Sequence, residues 1–142
     1  GIARVIDSLD RSDPKRSYYV DLYRKMAARI VQLQKADGYW HVSLLDSDAG
    51  TPPETSGTGF HVYSLAWGLN NGLLKGPQYE RAVLRGWDAL ERAVQPSGML
   101  GWVQQVGDRP TDVKQDDTQF FGTGAYLLAG TAVYDLAKRR NW

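Results

Sequence analysis

One stretch of sixteen residues, from Glu54 to Leu69, constrains what this chain can become. Read as a helix, Glu54-Thr55-Ser56-Gly57-Thr58-Gly59-Phe60-His61-Val62-Tyr63-Ser64-Leu65-Ala66-Trp67-Gly68-Leu69 is apolar on every side, with small residues along it and polar groups at its start. A helix apolar all round must be enclosed by other elements. The stretch also has a copy. Gly57-Thr58-Gly59 returns 65 residues later as Gly122-Thr123-Gly124, followed by the apolar run Ala125-Tyr126-Leu127-Leu128-Ala129. On that alignment Glu54 falls on Gln119. The preceding segment repeats as well: Gln34-Lys35-Ala36-Asp37-Gly38-Tyr39-Trp40 returns as Gln95 to Trp102, with the tryptophans 62 apart. A fixed period of this size marks repeated supersecondary units. Two helices rising roughly 1.5 Å per residue, with their connections, fill it. The expectation is an all-α chain of two helical hairpins in tandem, preceded by the end of an earlier one.

The pattern between the copies supports this. Gly1 to Leu9 reads as a helix end, with Ile2, Val5, Ile6 and Leu9 on one face. Asp13 is expected to cap and Pro14 to open the next helix. Residues 15–34 carry apolar positions at helical period against a polar opposite face, and so do residues 77–95. These are expected as outer helices. Residues 54–71 and 119–138 are expected as inner helices, with Asp117 as the N-cap of the second. Lys138-Arg139-Arg140 suits its C-terminal dipole. Trp67 and Trp87, each on an apolar face, are expected to be buried. The two outer-to-inner connections are about 20 residues long, and connections beyond about 12–15 residues are usually functional or disordered. Alternation puts both on one rim, where a ligand would be met.

At 142 residues the chain suits one domain, a single helical-hairpin-repeat region over residues 1–142. The net charge of +1, with acids and bases interspersed, argues against a nucleic-acid partner. No run of about 18 apolar residues is present, so no membrane span is expected. The chain has no cysteine, hence no disulfide, thiolate nucleophile or sulfur metal site, and no metal or cofactor is expected. The first residues lack the shape of a signal peptide and begin mid-helix, the expectation being a piece of a longer protein, either cytoplasmic or periplasmic/secreted according to what precedes it.

Six residues on the expected rim are candidates for substrate binding: Trp40, His41, Glu54, Trp102, Lys114 and Gln119. The tryptophans can stack on the flat faces of a ligand, or plug gaps between hairpins with the indole N–H on a carbonyl. Glu54 can accept from ligand hydroxyls, or serve as a helix-start cap with Thr55 and Ser56. Gln119 holds the matching position. His41 is a base or donor, or a loop residue, while His61 reads as a core histidine. Lys114 is a cation for a carboxylate, or a solvated lysine. The Gly-Thr-Gly copies lack the Gly-Lys-Ser/Thr of a phosphate loop and lie in apolar helices. There, small residues let helices approach.

Four segments in order, Pro53 to Phe60, Leu65 to Gly72, Leu100 to Gln104 and Asp117 to Ala125, resemble the unsaturated rhamnogalacturonyl hydrolases of glycoside hydrolase family 105, which are related to the unsaturated glucuronyl hydrolases of family 88. The resemblance covers nearly the whole chain. It implies a C-terminal arc of an (α/α)6 toroid with alternating inner and outer helices. It also implies removal of a terminal 4,5-unsaturated uronic acid from pectin or rhamnogalacturonan-type oligosaccharides. In that chemistry an Asp protonates C4, water adds at C5, and the hemiketal collapses, unlike two-carboxylate displacement. The family's Asp and its Trp-x-Arg-Gly-Asn-Gly-Trp motif are expected upstream of Gly1, so the catalytic residue is unknown here. The expected partners are the oligosaccharide and the missing N-terminal half of the toroid, with bare inner-helix surface favouring self-association. Two other readings stand beside this one. One is a different (α/α)-toroid enzyme such as a terpene cyclase, which shares the Gln-x-x-x-Gly-x-Trp form but needs an Asp-rich motif absent here. The other is a non-catalytic helical-repeat module that binds carbohydrate or protein.

Overall fold

The computed structural model describes residues 1–46, 51–107, 110 and 112–140. Five helices run in order: α1 (Ile2–Ser8), α2 (Arg16–Gln32), α3 (Thr55–Asn70), α4 (Pro77–Arg92) and α5 (Phe120–Arg140). Two short strands, β1 (Trp40–His41) and β2 (Pro53–Glu54), pair antiparallel, Trp40 opposite Glu54.

Helix α3 is the centre, and α1, α2, α4 and α5 all pack on it. Its buried residues Thr55, Thr58, Val62, Leu65, Ala66 and Leu69 share one face, and every other residue of the helix except exposed Phe60 is at least half-buried, so little of any side is left bare. Helix α4 is the opposite case. Ala82, Val83, Gly86, Ala89 and Leu90 are buried, while Arg81, Arg85 and Asp88 face solvent. Pro77 opens it, where a missing N–H costs nothing. On α2, buried Tyr23 sends its hydroxyl to the Ser64 carbonyl of α3 at 2.7 Å.

Helix α5 departs from the expectation of cover on all sides. Gly122, Ala125, Ala129, Ala132, Val133 and Leu136 form one buried stripe. Phe120, Leu127 and Tyr134 stand exposed opposite. Trp67 and Trp87 are half-buried rather than buried. Each lies on an aromatic partner, Trp67 edge-on to Tyr23 at 5.6 Å and Trp87 stacked on Tyr126 at 5.1 Å, and each keeps an outer edge in solvent. Two caps also differ. Asp13 closes a turn, accepting from the Lys15 N–H at 2.8 Å, and α2 starts only at Arg16 with no side-chain cap. Asp117 accepts from the Lys114 N–H at 2.8 Å and closes that turn, so Gln119 takes the position before α5.

The link between α2 and α3 is stapled. The Gln34 amide donates to the Gly38 carbonyl at 2.8 Å and to the Ala82 carbonyl of α4 at 3.0 Å. Gly38 has φ +94, and a Cβ there would stand 2.5 Å from the Arg85 carbonyl oxygen. Only glycine fits such a left-handed close approach. Trp40 is buried, with its indole N–H on the Ile30 carbonyl at 2.8 Å. Among the described residues no helix is long and apolar enough to cross a membrane.

Candidate functional site

Both long connections converge on the first turn of α3, and two buried threonines tie them there. Thr58 accepts from the Trp40 N–H at 3.0 Å and donates to the Glu54 carbonyl at 2.7 Å. Thr55 donates through its N–H to the Trp102 carbonyl at 2.9 Å, and its hydroxyl reaches the Gly101 carbonyl at 2.8 Å. Neither threonine has exposed surface, so Thr55 builds the site without touching a ligand.

Glu54 lies where the connections cross. It is the N-cap of α3, and the cap is its side chain: Oε1 accepts from the Ser56 N–H at 2.9 Å and Oε2 from the Gly57 N–H at 2.6 Å. A carboxylate at a helix N-terminus satisfies orphan donors and meets the positive end of the dipole. Gly57 makes the room, since a Cβ there would stand 2.9 Å from Oε2. Oε1 also accepts from the Gln104 N–H in the second connection, at 3.2 Å.

The second connection is held tightly on either side of that bond. The Val103 N–H reaches the Asp117 carbonyl at 3.0 Å, and the Gly101 N–H the Ala93 carbonyl at 2.9 Å. Trp102 has φ 57, a left-handed backbone at a bulky residue. Such a conformation costs on the order of 1–3 kcal/mol and persists only where surrounding contacts enforce it. The Thr55 bonds to Gly101 and Trp102 supply that enforcement.

Between the connections opens a cleft of about 380 Å³. Trp40, His41, Glu54, Ser56, His61, Gln104, Gln105 and Phe121 are among its lining residues. His41 is clamped, with Nε2 at 2.8 Å from Asp37 Oδ2 and Nδ1 at 3.1 Å from Thr51 Oγ1. His61 lies against Trp40, ring centres 5.2 Å apart, and burial pushes its imidazole down to about 4, so it is neutral near pH 7. Among the described residues lining the cleft there is no lysine or arginine, and the one carboxylate is Glu54. No group of three or more His, Cys, Asp or Glu among the described residues is placed to hold a metal ion.

Of the six candidates, the structure brings Trp40, His41 and Glu54 together on the cleft. Gln119 stands behind it, its amide donating to Gln105 Oε1 at 2.5 Å. Trp102 packs beside Leu100 and Val103 in a small core, away from the lining. Lys114 is exposed on the turn that Asp117 closes and does not line the cleft. The sequence reasoning missed Thr58, Gln104 and Gln105 as parts of the site. The adjacent amides Gln104-Gln105, just past the repeated tryptophan, were the available signal.

Comparison with known proteins places this geometry. The chain is 45% identical over 130 residues to an unsaturated 3S-rhamnoglycuronyl hydrolase of Alteromonas sp. (strain LOR), covering 92% of this chain and 32% of that protein. It thus spans about a third of that relative's length. The structure of a glycosyl hydrolase family 88 protein from Bacteroides vulgatus superposes with a TM-score of 0.88 at 35% identity, over 95% of this chain and 40% of that one. A structure from Salmonella enterica serovar Paratyphi A, described as a possible member of family GH105, shares the fold at a TM-score of 0.81 and 17% identity, over 97% of this chain and 37% of that one. The resemblance to families 105 and 88 thereby narrows: the family model for glycosyl hydrolase family 88 matches residues 1–137, and the chain belongs to that family.

Proposed function

We propose that this chain is one arc of an (α/α)6 toroid, and that the whole protein removes a terminal 4,5-unsaturated uronic acid from an oligosaccharide by hydrating its double bond. The observation that carries this is the cleft itself. It joins an aromatic wall, Phe121 with Trp40 buried in the same lining, to neutral polar groups at Ser56, His61 and Gln104, in a chain of family 88. Concave sites with an apolar wall and a few convergent polar groups are the usual form of small-ligand sites. The name of the Alteromonas relative favours a uronyl group carried on rhamnose.

The reaction needs a carboxylic acid to protonate C4 and a water to add at C5. General acid–base steps of this kind contribute about 10²–10⁴-fold. Glu54 is poorly suited to that task, because both its oxygens accept backbone N–H bonds. We therefore assign the proton donor to a part of the protein outside these 142 residues, and to this chain the orientation of the sugar. His41 is proposed to contact the substrate and buried Trp40 to shape the cleft from behind; Gln119, Trp102 and Lys114 have the weaker claim, since none of them lines the cleft.

The test is turnover of a 4,5-unsaturated uronyl–rhamnose disaccharide, followed by loss of absorbance of the conjugated acid. Full-length protein is expected to consume it and the isolated chain to leave it intact. Inactive full-length protein would overturn the assigned reaction. Turnover by the isolated chain, abolished by Glu54→Gln, would show that the acid lies here.

A further inference from the structure

We infer that Gln104 is a specificity-determining residue that binds a neutral pair of hydroxyls on the sugar, and that Glu54 is the residue that positions it; both statements rest on the proposed carbohydrate substrate. Gln104 lines the cleft and is half-buried, and its side-chain amide has no hydrogen-bond partner among the described residues. Its neighbour Gln105 differs in this, being engaged by Gln119. An amide offers a carbonyl acceptor and two N–H donors side by side. That set complements vicinal hydroxyls, one donating and one accepting.

The electrostatics favour this neutral ligand face. No cationic side chain among the described residues lines the cleft, and the Glu54 carboxylate is met by three backbone N–H groups. A carboxylate or sulfate on the substrate would find only neutral donors here, whereas hydroxyls meet matching partners. Burial keeps the neighbouring His61 neutral as well.

The placement of Gln104 is fixed from outside the cleft. A solvated loop amide would need no such fixing, yet every residue from Gly101 to Gln104 has a backbone group bonded elsewhere. Thr55 takes the carbonyls of Gly101 and Trp102, Asp117 the N–H of Val103, and Glu54 the N–H of Gln104. Trp102 is held at φ 57 within that run, which turns the chain so that Gln104 follows directly on the cleft wall. Strain enforced next to a cleft is the expected cost of a preorganised contact. The link through Glu54 joins the helix start to the reading residue by one hydrogen bond. Losing it would free Gln104 to shift while leaving its side-chain amide chemically intact.

The experiment uses the full-length protein. KM and kcat are measured for the unsaturated disaccharide, and Kd by calorimetry for its saturated counterpart. Gln104→Ala is expected to raise KM and Kd about fivefold to a hundredfold, the range for two neutral hydrogen bonds, with kcat changed less than twofold. Glu54→Gln is expected to raise KM in the same direction, and much less so in the Gln104→Ala background, because it acts through that side chain. A saturated ligand lacking both hydroxyls is expected to bind wild type and Gln104→Ala equally. Wild-type KM and Kd in Gln104→Ala would overturn the inference, as would full additivity of the two substitutions. An unchanged Gln104→Ala penalty on the deoxy ligand would overturn the hydroxyl assignment. Absence of turnover by wild type would count against the proposed reaction alone, with Kd still deciding the role of Gln104.

Discussion

Gly59 of α3 lies against the backbone of Ala125 on α5, so close that a methyl group added at Gly59 would stand 3.0 Å from the Ala125 carbonyl carbon. Gly124, the counterpart of Gly59 one repeat later, has nothing within 4 Å of the same added methyl. Two glycines in equivalent places thus have opposite roles in this chain. Glycine within a helix costs about 1 kcal/mol against alanine. At Gly59 the close approach of α3 and α5 offsets that cost; at Gly124 no contact does. Gly59→Ala is therefore expected to lower the urea midpoint, since overpacking costs about 1–3 kcal/mol. Gly124→Ala is expected to raise stability of the isolated chain by up to about 1 kcal/mol. Equal shifts of one sign would contradict the packing of α3 on α5.

The helices were legible in the sequence because their burial patterns are periodic. Residues 77–95 alternate correctly for one covered face, and α4 occupies Pro77–Arg92. The pairing of Glu54 with Gln119 was legible through the Gly-Thr-Gly copies, and both residues stand immediately before their helices. The loop geometry was not legible. Trp102 is a bulky residue in a left-handed backbone, which no propensity would place there, and the bonds that enforce it come from Thr55, 47 residues away. Gln104 carries no periodic signal, so its place on the cleft emerges only when that loop is built. Asp117 looked like a helix cap because its residue type suits one, but the turn from Lys114 claimed its carboxylate first.

His61 gives the chain an acid-sensitive element. Burial lowers its pKa from 6.5 to about 4, so the folded state keeps it neutral where the unfolded chain binds a proton. The unfolded state then gains protons first as pH falls, and folding stability drops between pH 6.5 and about 4. The slope from this group is at most about 1.4 kcal/mol per pH unit. His61→Phe is expected to flatten the stability profile across that window and leave the rest of the curve in place. Urea unfolding at a series of pH values reads the effect. An identical slope in the variant would show that His61 does not sit desolvated against Trp40.

Trp87 holds the outer layer to α5. Its ring stacks on Tyr126 with planes 28° apart, and a Cβ added at Gly130 would come within 3.1 Å of it. Removing a core tryptophan costs about 3–5 kcal/mol. Because Trp87 keeps an exposed edge, Trp87→Ala is expected to cost about 3 kcal/mol, and Trp87→Phe much less. Thermal unfolding of the three proteins tests this. An unchanged melting temperature in Trp87→Ala would mean that α4 and α5 are not joined by this stack.

The outward face of α5 gives the last prediction. Phe120, Leu127 and Tyr134 are 85%, 62% and 64% exposed, each seven residues from the next, and so form one apolar stripe along the helix. Contiguous exposed apolar surface of this kind marks an interaction face or an association liability. In the isolated chain the occupant at hand is a second copy of the same stripe. Sedimentation velocity is therefore expected to show association that grows with protein concentration. Leu127→Glu, in the middle of the stripe, is expected to suppress it without loss of helix content, because the side chain points away from Ala125 and Ala129, which are buried against α3. Heating should leave the variant at least as soluble as the parent. A chain that stays monomeric at high concentration, or a Leu127→Glu variant that associates as readily, would show that this stripe is not the contact.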